Sequence, residues 1–106
     1  MLSERDGRIV LREAFESHGF NIQENYRIVL DDFEIELDGY DEKARVGYEY
    51  LTREDGIEPE PLRRLILTRE YQIFLIDEHH VPNAWVLAQA VLDFFRELER
   101  GDELTP

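Results

Sequence analysis

Cysteine is absent from this 106-residue chain. Its absence removes disulfides, thiolate zinc sites and thiol nucleophiles together. A small domain without disulfides fits a reducing compartment, so a cytoplasmic location is expected. Long apolar runs are missing too. Stretches such as Ile73-Phe74-Leu75-Ile76 fall far short of the ~20 residues a membrane span needs, and no charged-then-apolar leader opens the chain. Positive charge is scarce: 12 Lys and Arg stand against 25 Asp and Glu, a net charge of −13. Such a field repels phosphate and disfavours a nucleic-acid partner, while basic protein surfaces and divalent cations are favoured. Serine occurs only at Ser3 and Ser17, without a glycine-flanked elbow, and Gly19, Gly39, Gly47, Gly56 and Gly101 are too dispersed to cradle phosphate.

What is present describes one folded unit. Apolar residues make up 42% and charged residues 35% of the chain, a globular composition rather than a disordered one. A chain of this length forms one domain, residues 1–106, burying somewhat over ~60% of its unfolded surface. Its charge is uneven. Residues 1–30 carry five acids and four bases, residues 31–60 twelve and three, and residues 61–106 eight and five.

The pattern predicts an α+β fold. Leu11, Ala14, Phe15 and His18 form one apolar stripe over 4–18, with Ser3 as N-cap and Gly19 at the C′ position. Strands follow over 26–51. Tyr26, Ile28 and Leu30 alternate, and Phe33, Ile35 and Leu37 alternate on the other parity, so a turn or a bulge lies at Asp31-Asp32. A turn-rich tract from Asp38 to Lys43 leads to Val46, Tyr48 and Tyr50. This reads as an antiparallel hairpin or meander with one apolar face and one carboxylate face carrying Glu34, Glu36, Asp38 and Glu49. A loop over 52–61, turning at Asp55-Gly56 and stiffened by Pro59 and Pro61, opens a short helix with Leu62, Leu65, Ile66 and Arg69 on its stripe. Residues 71–77 form a strand covered on both faces. Asn83 caps a last helix that stops near Arg100 at Gly101, leaving 101–106 as a loose tail. Helices packed on a small sheet are the expected architecture.

Two clusters carry candidate chemistry. Alternation brings Glu36, Asp38 and Glu49 to one face, where like charges repel unless something offsets them. Arg45, water or a hard cation such as Mg²⁺, Mn²⁺ or Ca²⁺ would do so; otherwise the carboxylates form a solvated outer face. The second cluster, Asp77-Glu78-His79-His80, follows the buried strand and mixes carboxylates with imidazoles, the donor set of transition-metal sites. Its plainer role is a loop leading into the last helix.

Over residues 4–78 the order of helix, meander, helix and strand resembles the core of PD-(D/E)XK nucleases. Asp38 matches that family's first acid, and Glu49-Tyr50-Leu51 stands where its D/E-x-K triplet lies, eleven residues on. Leu37 precedes Asp38 where the family has proline, and Leu51 replaces the water-activating lysine. The resemblance implies a metal held by Asp38 and Glu49, which become the candidate catalytic residues, and a degenerate hydrolase.

The third feature is hydrophobic. Tyr26, Tyr40, Tyr48, Tyr50, Tyr71 and Trp85 are large amphipathic rings of the kind enriched at interfaces. The last helix is apolar around more than half its circumference, and the first helix reads as too short and polar to cover it. Trp85, Leu92 and Phe94 are therefore the candidate interface with a second copy. The leading expectation is a small acidic domain without catalysis, acting through protein contact or self-association. The alternative is the divalent-metal hydrolase.

Overall fold

The computed structural model describes residues 2–30, 32–52, 60–68 and 70–104. In chain order they form α1 (Glu4–Ser17), β1 (Gln23–Leu30), β2 (Phe33–Asp41), β3 (Val46–Leu51), α2 (Glu60–Leu67), β4 (Gln72–Asp77), a 3-10 turn over Glu78–His80, and α3 (Ala84–Leu104). One sheet has the order β1-β2-β3-β4. Its first three strands are an antiparallel meander, and β4 lies parallel to β3 after the crossover through α2. The expected α+β architecture is the one observed.

Local chemistry sets the ends of α1. Ser3 Oγ accepts the Asp6 N–H at 3.1 Å, which satisfies one of the orphan donors of the first turn. Gly19 follows the C-cap His18 with φ of 91°, a conformation open to glycine without a Cβ penalty. Gly7 sits in the helix because a Cβ there would lie 2.8 Å from the Tyr50 ring. The small residue lets α1 settle directly on β3.

The core is split by the sheet. On one face Leu11 and Phe15 of α1 meet Leu87, Val91 and Phe95 of α3 over Val46, Tyr48, Tyr50 and Phe74. On the other, Leu62 and Leu65 of α2 cover Ile28, Leu37, Tyr40 and Leu51. The tract 71–77, read as doubly covered, supplies both cores, Phe74 to the first and Ile73 and Leu75 to the second.

This division corrects the single apolar face expected for the hairpin. Ile35 and Leu37 pack toward α2, and Phe33 lies under the Arg64 guanidinium at 4.5 Å. Val46, Tyr48 and Tyr50 pack toward α1 and α3. The reason is a change of face between Leu37 and Gly39. A Cβ on Gly39 would lie 2.2 Å from the Tyr48 ring, on the α1 side. Strict alternation would have put Gly39 beside Leu37. Across the ladder Asn25 has φ of 52°, a left-handed conformation that Asn tolerates better than most residues. β1 and β2 pair Glu24 with Gly39 and Tyr26 with Leu37, but Asn25 and Asp38 drop out of the ladder between them. Both strands thus turn over together without changing register.

The other departures are smaller. Leu30 pairs with Phe33, so the chain reverses between β1 and β2 rather than bulging; Asp31 itself lies outside the described residues. β2 continues to Asp41, so the turn falls at 42–45 instead of beginning at Asp38. The expected turn at Asp55-Gly56, Pro59 and the Arg69 position on the stripe lie outside the described residues. Asn83 caps α3 as expected, its Oδ1 accepting the Val86 N–H at 3.0 Å. The helix then runs through Gly101 to Leu104. One glycine in a helix costs only ~1 kcal/mol relative to alanine and need not end it.

Candidate functional site

The opened ladder at Asp38 organises the site. β2 and β3 pair only from Gly39–Asp41 to Val46–Tyr48, and beyond Gly39 side chains replace the backbone ladder. Asp38 Oδ2 accepts the Tyr50 N–H at 2.8 Å, and Glu49 Oε1 accepts the Asp38 N–H at 3.0 Å. Each carboxylate thus closes a backbone donor on the opposite strand. Buried backbone donors must be paired somewhere, and here the pairing is by side chains.

A cation faces Asp38 from α1. Arg8 Nε lies 3.6 Å from Asp38 Oδ1, and its terminal nitrogen donates to Asn25 Oδ1 at 2.6 Å. Arg8 therefore joins the helix to both residues that leave the β1–β2 ladder. Next to it, Arg12 pairs with Glu24 and, at 3.2 Å, with Glu16. The Tyr48 ring lies beneath this layer. Burial, and then the Glu24 and Asp38 charges, push its hydroxyl pKa well above the usual tyrosine range.

The three carboxylates expected together are not all assembled. Glu49 reaches only the Asp38 backbone N–H, whereas Glu36 is exposed and pairs across the strands with Arg27. Glu49 alternates with Tyr48 and Tyr50, so it leaves β3 on the α2 side. Leu51, at the place of the lysine in the resemblance, is buried with α2. Among the described residues no group of three Asp, Glu, His or Cys side chains has an arrangement able to hold a metal ion.

The second cluster is a capping structure. Asp77 Oδ1 accepts the His79 N–H at 2.8 Å and lies 2.5 Å from His79 Nδ1. The backbone bond first, and the imidazole second, hold the Asp77 carboxyl below its ordinary pKa. Adjacent His80 is exposed. A third grouping, Tyr26, Tyr40 and Tyr71, lines a cleft of ≈380 Å³ with Glu42 and Arg45. The Tyr26 hydroxyl donates to Glu42 Oε2 at 2.7 Å, which raises its pKa. Burial pushes the Tyr40 hydroxyl up to about 12.

The proposed interface residues separate. Phe94 packs within the chain, 6.1 Å from the Phe15 ring and 5.3 Å from Phe74. Leu92 is half-buried against the same core. α1 does reach this side of α3, through Phe15 against Phe94 and Phe95. Trp85 alone of the three stands in solvent, 70% exposed.

Two residues central to this arrangement were not singled out by sequence reasoning. Arg8 belongs to a helix whose outer side the sequence marks only as polar. Its spacing with Arg5 and Arg12 places three guanidiniums along one side of α1 in an acidic chain, and that was the available signal. Asp41 was read as one of several turn residues. It is 7% exposed and accepts the N–H groups of Asn21, Lys43 and Ala44. Burial raises its pKa, but these three bonds outweigh burial and hold it below the ordinary carboxylate value.

Comparison of the chain with protein-family models, with curated proteins and with solved structures gives no match.

Proposed function

We propose that this is a domain without catalysis, acting through protein–protein contact, self-association included. The observation that carries the reading is the bonding of Asp38 and Glu49. Their carboxylates accept backbone N–H groups across an opened ladder, and Asp38 also faces the Arg8 guanidinium. A divalent cation there would have to displace these donors and meet a fixed positive charge. The exposed Trp85 ring supports contact with a partner, since tryptophan is enriched where interfaces concentrate their energy.

A degenerate metal-dependent hydrolase is the second reading. What favours it is the bond between Glu49 and the Asp38 backbone together with the order α1-β1-β2-β3-α2-β4, the order on which the nuclease resemblance rests. Thermal unfolding with and without Mg²⁺, Mn²⁺ or Ca²⁺ separates the two. The contact reading expects the midpoint to stay fixed with metal and to rise with protein concentration, because association stabilises the folded state by mass action. A saturable metal-dependent rise, lost in Asp38→Asn, would favour the hydrolase.

A further inference from the structure

The outer face of α1 carries one apolar residue between charges of opposite sign. Gly7, Leu11 and Phe15 are buried, and at 3.6 residues per turn Ile9 lies on the opposite side of the helix. It is 46% exposed, an apolar residue in the middle of the solvent face. Arg5 and Glu13 flank it at i−4 and i+4 on the same ridge. Reading outward along that ridge gives a cation, an apolar centre and an anion.

We infer that α1 pairs with α1 of a second copy across a two-fold axis passing near Ile9. An antiparallel two-fold arrangement places Ile9 on Ile9 and Arg5 opposite Glu13, twice. Each charged residue stands ~6 Å along the axis from the centre, within reach of a long side chain on the facing helix. The reverse case, a ridge with one sign of charge, would repel its copy.

Three further observations support this occupant. Among the described residues neither Arg5 nor Glu13 takes a hydrogen-bond or ion-pair partner, whereas Arg8 and Arg12 on the neighbouring ridge are paired within the chain. Arg5, Ile9 and Glu13 also line an open cleft of ≈720 Å³ shared with Glu24 and Asn25 at the β1 edge. Finally, residues 1–30 are nearly neutral, with five acids against four bases, in a chain of net charge −13. Two copies approaching through α1 keep their acidic middle segments out of the contact.

This inference rests on the self-association form of the proposed function, and a charge swap tests it separately. Sedimentation equilibrium on the full chain compares the wild type, Arg5→Glu, Glu13→Arg, the double variant carrying both, and Trp85→Ala. The wild type should be a dimer at ~100 µM. Each single swap sets like charges opposite each other twice, and should weaken the dimer at least ~10-fold. The double variant restores opposite signs and should recover most of the affinity. All positions are exposed, so unfolding is not the expected route to loss, and circular dichroism checks it. A wild-type monomer at that concentration would overturn the inference. So would a dimer indifferent to the swaps. If that indifferent dimer dissociates in Trp85→Ala, self-association survives through α3 while the α1 pairing does not.

Discussion

Removing the Asp38 carboxylate tests how the opened ladder is held. In Asp38→Ala the Tyr50 N–H loses its acceptor at 2.8 Å, and the Tyr50 residue is only 2% exposed. A buried donor left without a partner costs ~1–3 kcal/mol. The Arg8 interaction at 3.6 Å is lost as well. Its partners are partly exposed, so solvent screening limits it to ~0.5–1 kcal/mol. Alanine should therefore destabilise the domain by ~1.5–4 kcal/mol. Asp38→Asn keeps an amide oxygen for the Tyr50 N–H and gives up only the charge, so its cost should stay near ~0.5–1 kcal/mol. Urea unfolding followed by far-ultraviolet circular dichroism measures both, with the slope unchanged if only stability is altered. Equal losses in the two variants would refute the hydrogen-bond role. So would an alanine variant within ~0.5 kcal/mol of the wild type, the range of an ordinary surface change.

Other substitutions follow from the same geometry. Gly39→Ala should destabilise by ~1–3 kcal/mol in urea unfolding, because the new Cβ would enter the Tyr48 ring, itself packed 5.0 Å from Phe15. Asp41 has a lowered folded-state pKa. Its contribution is thus present above the unfolded value of ~3.9 and is lost as pH falls through the folded value. Asp41→Ala should lower stability at neutral pH and flatten the acid limb of a stability–pH curve; an unchanged acid limb would refute the role of its three N–H bonds. Leu37, fully buried, should cost ~2–5 kcal/mol on replacement by alanine. Half-buried Ile35 should cost clearly less in the same assay.

The start of α3 and both ends of α1 were legible because each rule acted locally, whereas Gly101 did not stop α3. Ser3, Gly19 and Asn83 cap or end their helices through bonds and dihedrals within a few residues. The number and order of strands were legible as well, although β1 begins earlier and β2 runs on to Asp41, and Leu30 paired with Phe33 explains the parity change at Asp31-Asp32. The sheet faces were not. Alternation assumes a continuous pleat, and that pleat is interrupted where Asn25 and Asp38 leave the ladder. A single Asn in a strand hints at a left-handed residue, but which strand opposes it is a tertiary fact. The same interruption changed the candidate site. Glu49 reaches the Asp38 backbone, while the Asp38 carboxylate turns to the Tyr50 N–H and to Arg8 from a helix that the strand pattern could not position, and Glu36 stays on the exposed part of the hairpin. Phe94 illustrates the packing side. It packs on Phe15 of α1 and Phe74 of β4, two elements distant in sequence whose meeting the helix's own pattern does not encode.

The central claim is that Asp38 and Glu49 hold backbone N–H groups rather than a metal. The most direct measurement is an amide spectrum by nuclear magnetic resonance during titration with paramagnetic Mn²⁺. The account predicts that the Asp38 and Tyr50 amides are protected from hydrogen exchange and broaden no more than other buried amides at millimolar Mn²⁺. Saturable broadening centred on Asp38, Glu49 and Tyr50 would contradict it.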